Sequence, residues 1–139
     1  MMTSITETAE KFFTACELGK GWEGCKDYCT PNATFTAQAD ALADVKTLEQ
    51  YAEWMKGLYG PLPDAAYEVK AFSADEDRGV VTAFAVFMGT NTGAAGPMSP
   101  TGKSVRSDYV YAMEFDGDKI RHMTKVWNDG YALRQLGWM

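Results

Sequence analysis

Between Pro63 and Tyr67 the apolar residues of this chain change their spacing from three-or-four to two, and no other feature limits the fold as strongly. Before that point the pattern is helical. Ser4 and Glu7 stand at capping-box spacing, and Ala9, Phe12, Phe13 and Cys16 then mark one helix face that ends near Gly19. A short second helix is predicted from about Gly21, burying Trp22, Cys25, Tyr28 and Cys29, until Thr30-Pro31-Asn32 breaks it. A brief strand, Ala33 to Thr36, follows. Thr47 is placed to cap a third helix carrying Leu48, Tyr51, Ala52, Met55, Leu58 and Tyr59, which Gly60-Pro61 and Pro63-Asp64 stop.

After Pro63 the alternation predicts strands at Tyr67 to Phe72, Gly79 to Gly89, Ser104 to Phe115 and Lys119 to Asn128, then a last helix from Gly130 to Leu136. Asp77-Arg78-Gly79 and Asp116-Gly117-Asp118 supply residues suited to tight hairpin turns. The Gly-, Thr-, Ser- and Pro-rich stretch from Thr90 to Lys103 reads as a rim loop. Helices first and turn-linked strands afterwards imply an α+β domain, with a curved, mixed but mainly antiparallel sheet wrapped over the amino-terminal helices. Sidedness is visible in Ser104 to Phe115. Val105, Tyr109, Tyr111, Met113 and Phe115 share one parity, and Ser104, Arg106, Asp108 and Glu114 share the other. The aromatic parity is the one expected to be buried.

The 139 residues suit one domain spanning 1–139, and 46% hydrophobic residues give it enough apolar surface to fold unaided. A net charge of −6 with scattered Lys and Arg leaves no basic stripe, so nucleic acid is not an expected partner. No apolar run approaches the about 18 residues of a membrane span, and the start lacks the pattern of an export signal. No membrane partner is expected, and the chain is placed in the cytoplasm. Three cysteines, Cys16, Cys25 and Cys29, are an odd number that argues for reduced thiols packed as small hydrophobes. No metal site is expected, because the single histidine, His122, is far from them in sequence. Gly93-Ala94-Ala95-Gly96 lacks the strand-to-helix setting of a phosphate loop, so no cofactor is expected.

Five short motifs then occur in order: Pro63-Asp64, Gly89-Thr90-Asn91-Thr92-Gly93, Pro100-Thr101-Gly102-Lys103, Asp116-Gly117-Asp118-Lys119-Ile120 and Gln135-Leu136-Gly137. With them the chain resembles the SnoaL-like polyketide cyclases, within the superfamily of nuclear transport factor and ketosteroid isomerase. The resemblance implies a cone-shaped, cystatin-like α+β fold enclosing a small hydrophobic ligand, and a homodimer formed through the outer face of the sheet. It also implies a cyclase, isomerase or lyase acting on a hydrophobic carbonyl compound. Thr30-Pro31-Asn32 looks like the turn that enters the first strand in that superfamily.

The chain departs from the family at the catalytic position. Registering Ile120 and Gln135-Leu136-Gly137 without gaps puts Lys125 where cyclases of the family carry an acid-base aspartate. Asn128 falls on a second family aspartate, and Asn91 on a family histidine at the pocket mouth. Lys125 shares strand parity with Met123 and Trp127. On a cavity-facing surface its amine would serve as a base, form a Schiff base or hold an enolate oxygen; on the other surface it is a solvated strand lysine. Asn128 either bonds a ligand oxygen or shapes the turn into the last helix. Asp129, the nearest carboxylate, either acts in catalysis or caps that helix. Tyr109, Tyr111, Trp127 and Met123 are candidate ligand contacts as well as core residues, and Asn91 is one on the rim loop. His122, of opposite parity, is expected to face outward. The alternative to an enzyme is a binder that holds an apolar metabolite unchanged, and a third possibility is a protein-interaction module.

Overall fold

The computed structural model describes residues 4–139, so Met1 to Thr3, part of the stretch read for an export signal, lie outside it. Helix α1 spans Ile5–Glu17, with the Ser4 side chain accepting a hydrogen bond from the Glu7 backbone N–H. Thr8, Ala9, Phe12, Phe13 and Cys16 form its buried face. Helix α2 covers only Gly21–Cys25, and a single 3₁₀ turn, Lys26–Tyr28, follows it. The second helix is thus shorter than the periodicity suggests. Strand β1 already begins at Cys29 and runs Cys29–Ala37, so Thr30-Pro31-Asn32 lies inside a strand. The strand tolerates Pro31 because it is a sheet edge whose register is irregular between Cys29 and Thr34.

Helix α3, Leu48–Leu58, opens on a full capping box in which Thr47 and Gln50 bond each other's backbone N–H groups. Strands β2 (Ala66–Asp75), β3 (Val80–Thr90), β4 (Ser104–Asp116) and β5 (Lys119–Trp127) form the predicted antiparallel meander, and helix α4 closes the chain at Asp129–Leu136. The sheet has the order β1-β5-β4-β3-β2, with β1 parallel to β5, and it is open at both edges.

Along β4 the exposure alternates as predicted: Val105, Tyr109, Tyr111, Met113 and Phe115 are buried. The opposite face carries a cross-strand row of Phe84, Val110 and Val126, of which Phe84 and Val126 are exposed. The main core joins α1 and α3 to that inner face, and all three cysteines are buried in it. A second, smaller cluster of Leu62, Val105, Ala132 and Leu136 seats α4 at the other end of the sheet. No helix among the described residues is long and apolar enough to cross a membrane.

Candidate active site

The register of β4 against β5 sets Tyr111 beside Lys125 and Tyr109 beside Trp127 on the inner face. Opposite those tyrosines β3 places only Ala83 and Ala85, and these small side chains leave room for the rings. Helix α3 brings Tyr51 and Trp54 to the same place, with Tyr51 stacked on Phe35 of β1 at 4.5 Å between centroids. Helix α1 contributes its last residue, Glu17. The chain must leave the helix immediately after it, and Gly19 does so at φ 72°, in a space where a Cβ would come within 2.6 Å of the Tyr59 ring. The Tyr59 hydroxyl donates to the Glu17 carbonyl at 2.6 Å and fixes the end of α1.

Lys125 is 6% exposed and Glu17 2%. The tyrosines link them in one direction. Lys125 Nζ donates to the Tyr51 hydroxyl at 2.9 Å, Tyr51 and Tyr111 share a short hydroxyl contact, and Tyr111 donates to Glu17 Oε2 at 2.9 Å. Tyr109 donates to Glu17 Oε1. Around the amine stand five aromatic rings, Trp127 at 4.3 Å from Nζ to centroid, Tyr51 at 5.1 Å, Trp54 at 5.2 Å, Tyr109 at 5.4 Å and Tyr111 at 5.9 Å. Ring faces attract a cation, but they return less than the water that burial removes. Burial accordingly holds the Lys125 amine down at about 8, against the opposing pull of Glu17. It also pushes the Glu17 carboxyl above the usual carboxylate range, partly offset by the Tyr109 hydrogen bond and the Lys125 charge. Desolvation and the nearby Glu17 charge raise Tyr51, Tyr109 and Tyr111, so these phenols stay protonated as donors.

Glu17, Lys125, Tyr109, Trp54 and Trp127 line one cavity with Met55, Leu58, Leu62, Phe87 and Val105. Ala132, Leu133 and Leu136 of α4, together with Trp138, complete the wall. Gly137, at φ 75°, ends α4 and turns Trp138 back, with the Trp138 N–H bonded to the Leu133 carbonyl at 3.0 Å. The cavity holds about 40 Å³ of water-accessible volume, which is room for water but not for a multi-ring guest unless side chains move.

The sequence-derived candidates fall into two groups. Lys125, Trp127, Tyr109 and Tyr111 come together at this site. Met123 is fully buried in the main core beneath it, beside Met113, and does not line the cavity. Asn128 is the N-cap of α4, accepting from the Tyr131 N–H at 3.0 Å. That corrects the reading of Asp129 as the cap. Asp129 Oδ2 instead accepts from the Ala41 N–H at 2.9 Å and ties α4 to the segment after β1. The capping position falls to Asn128 because the helix begins one residue earlier than predicted. Both residues border a groove outside the cavity. Asn91 is wholly buried and organises the rim loop: it donates to the Pro61 carbonyl at 3.0 Å and accepts from the Thr101 N–H and the Trp138 indole, each at 3.0 Å. His122 lies on the other face of the sheet, where Thr34 and Thr36 hold its two ring nitrogens at 2.7 Å and 3.1 Å.

Sequence reasoning missed Glu17. Its signal was present, because Glu17 follows Phe13 by four residues and so continues the apolar face of α1, where a carboxylate has no ordinary place. Tyr51 and Trp54 were hidden differently, since an aromatic on a helix face reads as core.

Residues 7–136 match the sequence profile of the SnoaL-like polyketide cyclase family. The chain belongs to that family. Its architecture agrees with solved structures of low sequence identity. AclR, a proposed hydroxylase from Streptomyces galilaeus, is 21% identical with a TM-score of 0.76, covering 100% of this chain and 88% of the other. IdmH, a proposed polyketide cyclase from Streptomyces antibioticus, is 17% identical with a TM-score of 0.76, covering 97% and 99%. A cystatin-fold protein from Novosphingobium aromaticivorans is 19% identical with a TM-score of 0.64, covering 88% and 97%. The sequence matches none of the curated proteins. Within a SnoaL-like domain, then, the acidic group of this cavity comes from the first helix and a lysine stands on the last strand.

Proposed function

We propose that this SnoaL-like domain is an enzyme of cyclase, isomerase or lyase type that activates a hydrophobic carbonyl compound. In this reading Lys125 and the Tyr109 hydroxyl draw electron density from the carbonyl, and Glu17 removes the proton from the neighbouring carbon. The carbanion so formed closes a ring, moves a double bond or expels a leaving group. The observation that carries the reading is the coexistence of Glu17 and Lys125 in one apolar cavity, connected through tyrosines rather than neutralised by a direct ion pair. Burial moves the two groups toward each other on the pH scale, Glu17 upward and Lys125 downward, which suits an acid and a base that exchange a proton. Apolar walls add to this by excluding water, which strengthens each electrostatic contact at the reacting carbon.

A non-catalytic binder is favoured by one observation: no buried polar side-chain atom among the described residues lacks a hydrogen-bond partner, and the space is narrow. Proton exchange separates the two readings. In D₂O the wild-type protein is expected to speed loss of the methyl proton signal of acetophenone, and Glu17→Gln and Lys125→Met each to lower that rate by about a hundredfold, the ordinary worth of a positioned acid or base. Equal rates for all three proteins would sink the enzymatic reading and leave the binder.

A further inference from the structure

We propose that Lys125 acts covalently, capturing an aldehyde or ketone as a Schiff base in the cavity. The inference rests on the carbonyl reading above and concerns how that carbonyl is activated.

The surroundings of Nζ carry it. An ammonium group has three N–H donors, and here it makes one hydrogen bond, to Tyr51. Five ring faces stand within 6 Å of it, Trp127 nearest at 4.3 Å, and its side chain borders the cavity. Glu17 does not pair with it directly; its two oxygens accept the Tyr109 and Tyr111 hydroxyls. Such an environment favours the neutral amine, whose lone pair needs no partner, and burial lowers the proton affinity of Lys125 in the same sense. A lysine kept only as a fixed positive charge would be expected to have its donors met by carboxylates or carbonyls. The titratable groups that face it are Glu17 and Cys16 from α1, Tyr51 from α3, and Tyr109 and Tyr111 from β4; none is a cation that would push the amine down by repulsion.

The step balances with the groups hydrogen-bonded in line from Nζ, namely Tyr51, Tyr111 and Glu17. The neutral nitrogen attacks the carbonyl carbon, a C–N bond forms, and the carbonyl π pair moves to oxygen, which takes a proton from Tyr51. The nitrogen releases a proton and restores that hydroxyl. A second proton reaches the oxygen from Glu17, which enters the step as the neutral acid, through Tyr111 and Tyr51, the two hydroxyls first turning so that Glu17 donates to Tyr111 instead of accepting from it. The C–O bond then breaks, water leaves, and the nitrogen lone pair closes the C=N bond to give the protonated iminium, with Glu17 left as carboxylate. Glu17 is thereby ready to take the α-proton, and the C–H electron pair flows to nitrogen as an enamine. Hydrolysis reverses the sequence and returns the free amine.

Trapping with cyanoborohydride tests this. The full-length protein is incubated at pH 7.5 with propanal or benzaldehyde plus sodium cyanoborohydride, and labelled lysines are located by peptide mass spectrometry. Lys125 is expected to be alkylated at least about tenfold faster than any surface lysine, with its rate rising toward pH 8 and levelling above it, as a neutral-amine reaction requires. Lys125→Arg is expected to keep its circular dichroism spectrum and lose the fast site. Labelling of surface lysines at an equal or higher rate, with both aldehydes, would overturn the proposal. Acetophenone exchange on the same samples tells the two failures apart. Exchange that depends on Lys125 without trapping defeats the Schiff base alone, and the absence of both defeats the carbonyl reading as well.

Discussion

At the scale of single residues, the cost of Lys125 is the most direct consequence of the site. The unfolded chain keeps this lysine protonated up to its ordinary value of about 10.4, whereas the folded chain releases the proton near 8. Below about pH 8 both states carry the charge and the folded state bears the full desolvation penalty. Between about 8 and about 10.4 the folded amine is neutral while the unfolded one is not, so the penalty fades as pH rises. It is on the order of 3 kcal/mol at neutral pH. Lys125→Met should therefore stabilise the protein at pH 7, by about 1–3 kcal/mol after the lost Tyr51 contact and the altered balance at Glu17 are counted, with the gain shrinking toward pH 10. Urea unfolding at several pH values measures it; a variant less stable than wild type at pH 7 would mean the amine is not desolvated. Half of this residue-scale picture was legible. The parity shared by Met123, Lys125 and Trp127 put the amine on one face with them, but the sequence says neither which face is inner nor which helix meets that strand, and so Glu17 was not paired with it.

Among elements, α4 and the rim loop hold the cavity wall in place, and two asparagines do this in ways of different strength. Asn128 contributes one capping bond at a partly exposed helix start, so Asn128→Ala should cost about 1 kcal/mol. Asn91 sits with no exposed surface and bonds Pro61, Thr101 and Trp138 together, so Asn91→Ala breaks three hydrogen bonds at a buried position, leaves the part-buried Thr101 and Trp138 N–H donors unpaired, and should cost about 3 kcal/mol. Chemical denaturation of the two variants gives the ratio, and equal losses would contradict the role assigned to Asn91. The strands were legible to within a few residues because β3, β4 and β5 bury one face and their turns carry Gly79 and Gly117 at positive φ. The end of the second helix was not. Cys25, Tyr28 and Cys29 fit a helical spacing, yet Cys29 is drawn into β1 by its pairing with Ile120, a partner 91 positions along the chain that local pattern cannot reveal.

For the whole molecule, the order of elements decides the chemistry. A chain that lays down its helices first and its meander afterwards brings the first helix and the last strand to one interior, although Glu17 and Lys125 are separated by almost the whole sequence. The parallel pairing of β1 with β5 completes this by seating the early Phe35 beside the late Met123, under Tyr51. The motifs after Pro63 carried the family resemblance, whereas the acidic group lies before them, in the part of the chain where only the helix pattern could be followed. The central claim is that this arrangement removes the amine of the last strand from water. Nuclear magnetic resonance titration of the lysine side chains tests it directly. The account predicts one lysine titrating near pH 8 whose signal is missing from Lys125→Met, and it would be contradicted by every lysine, Lys125 included, titrating near the ordinary value of about 10.4.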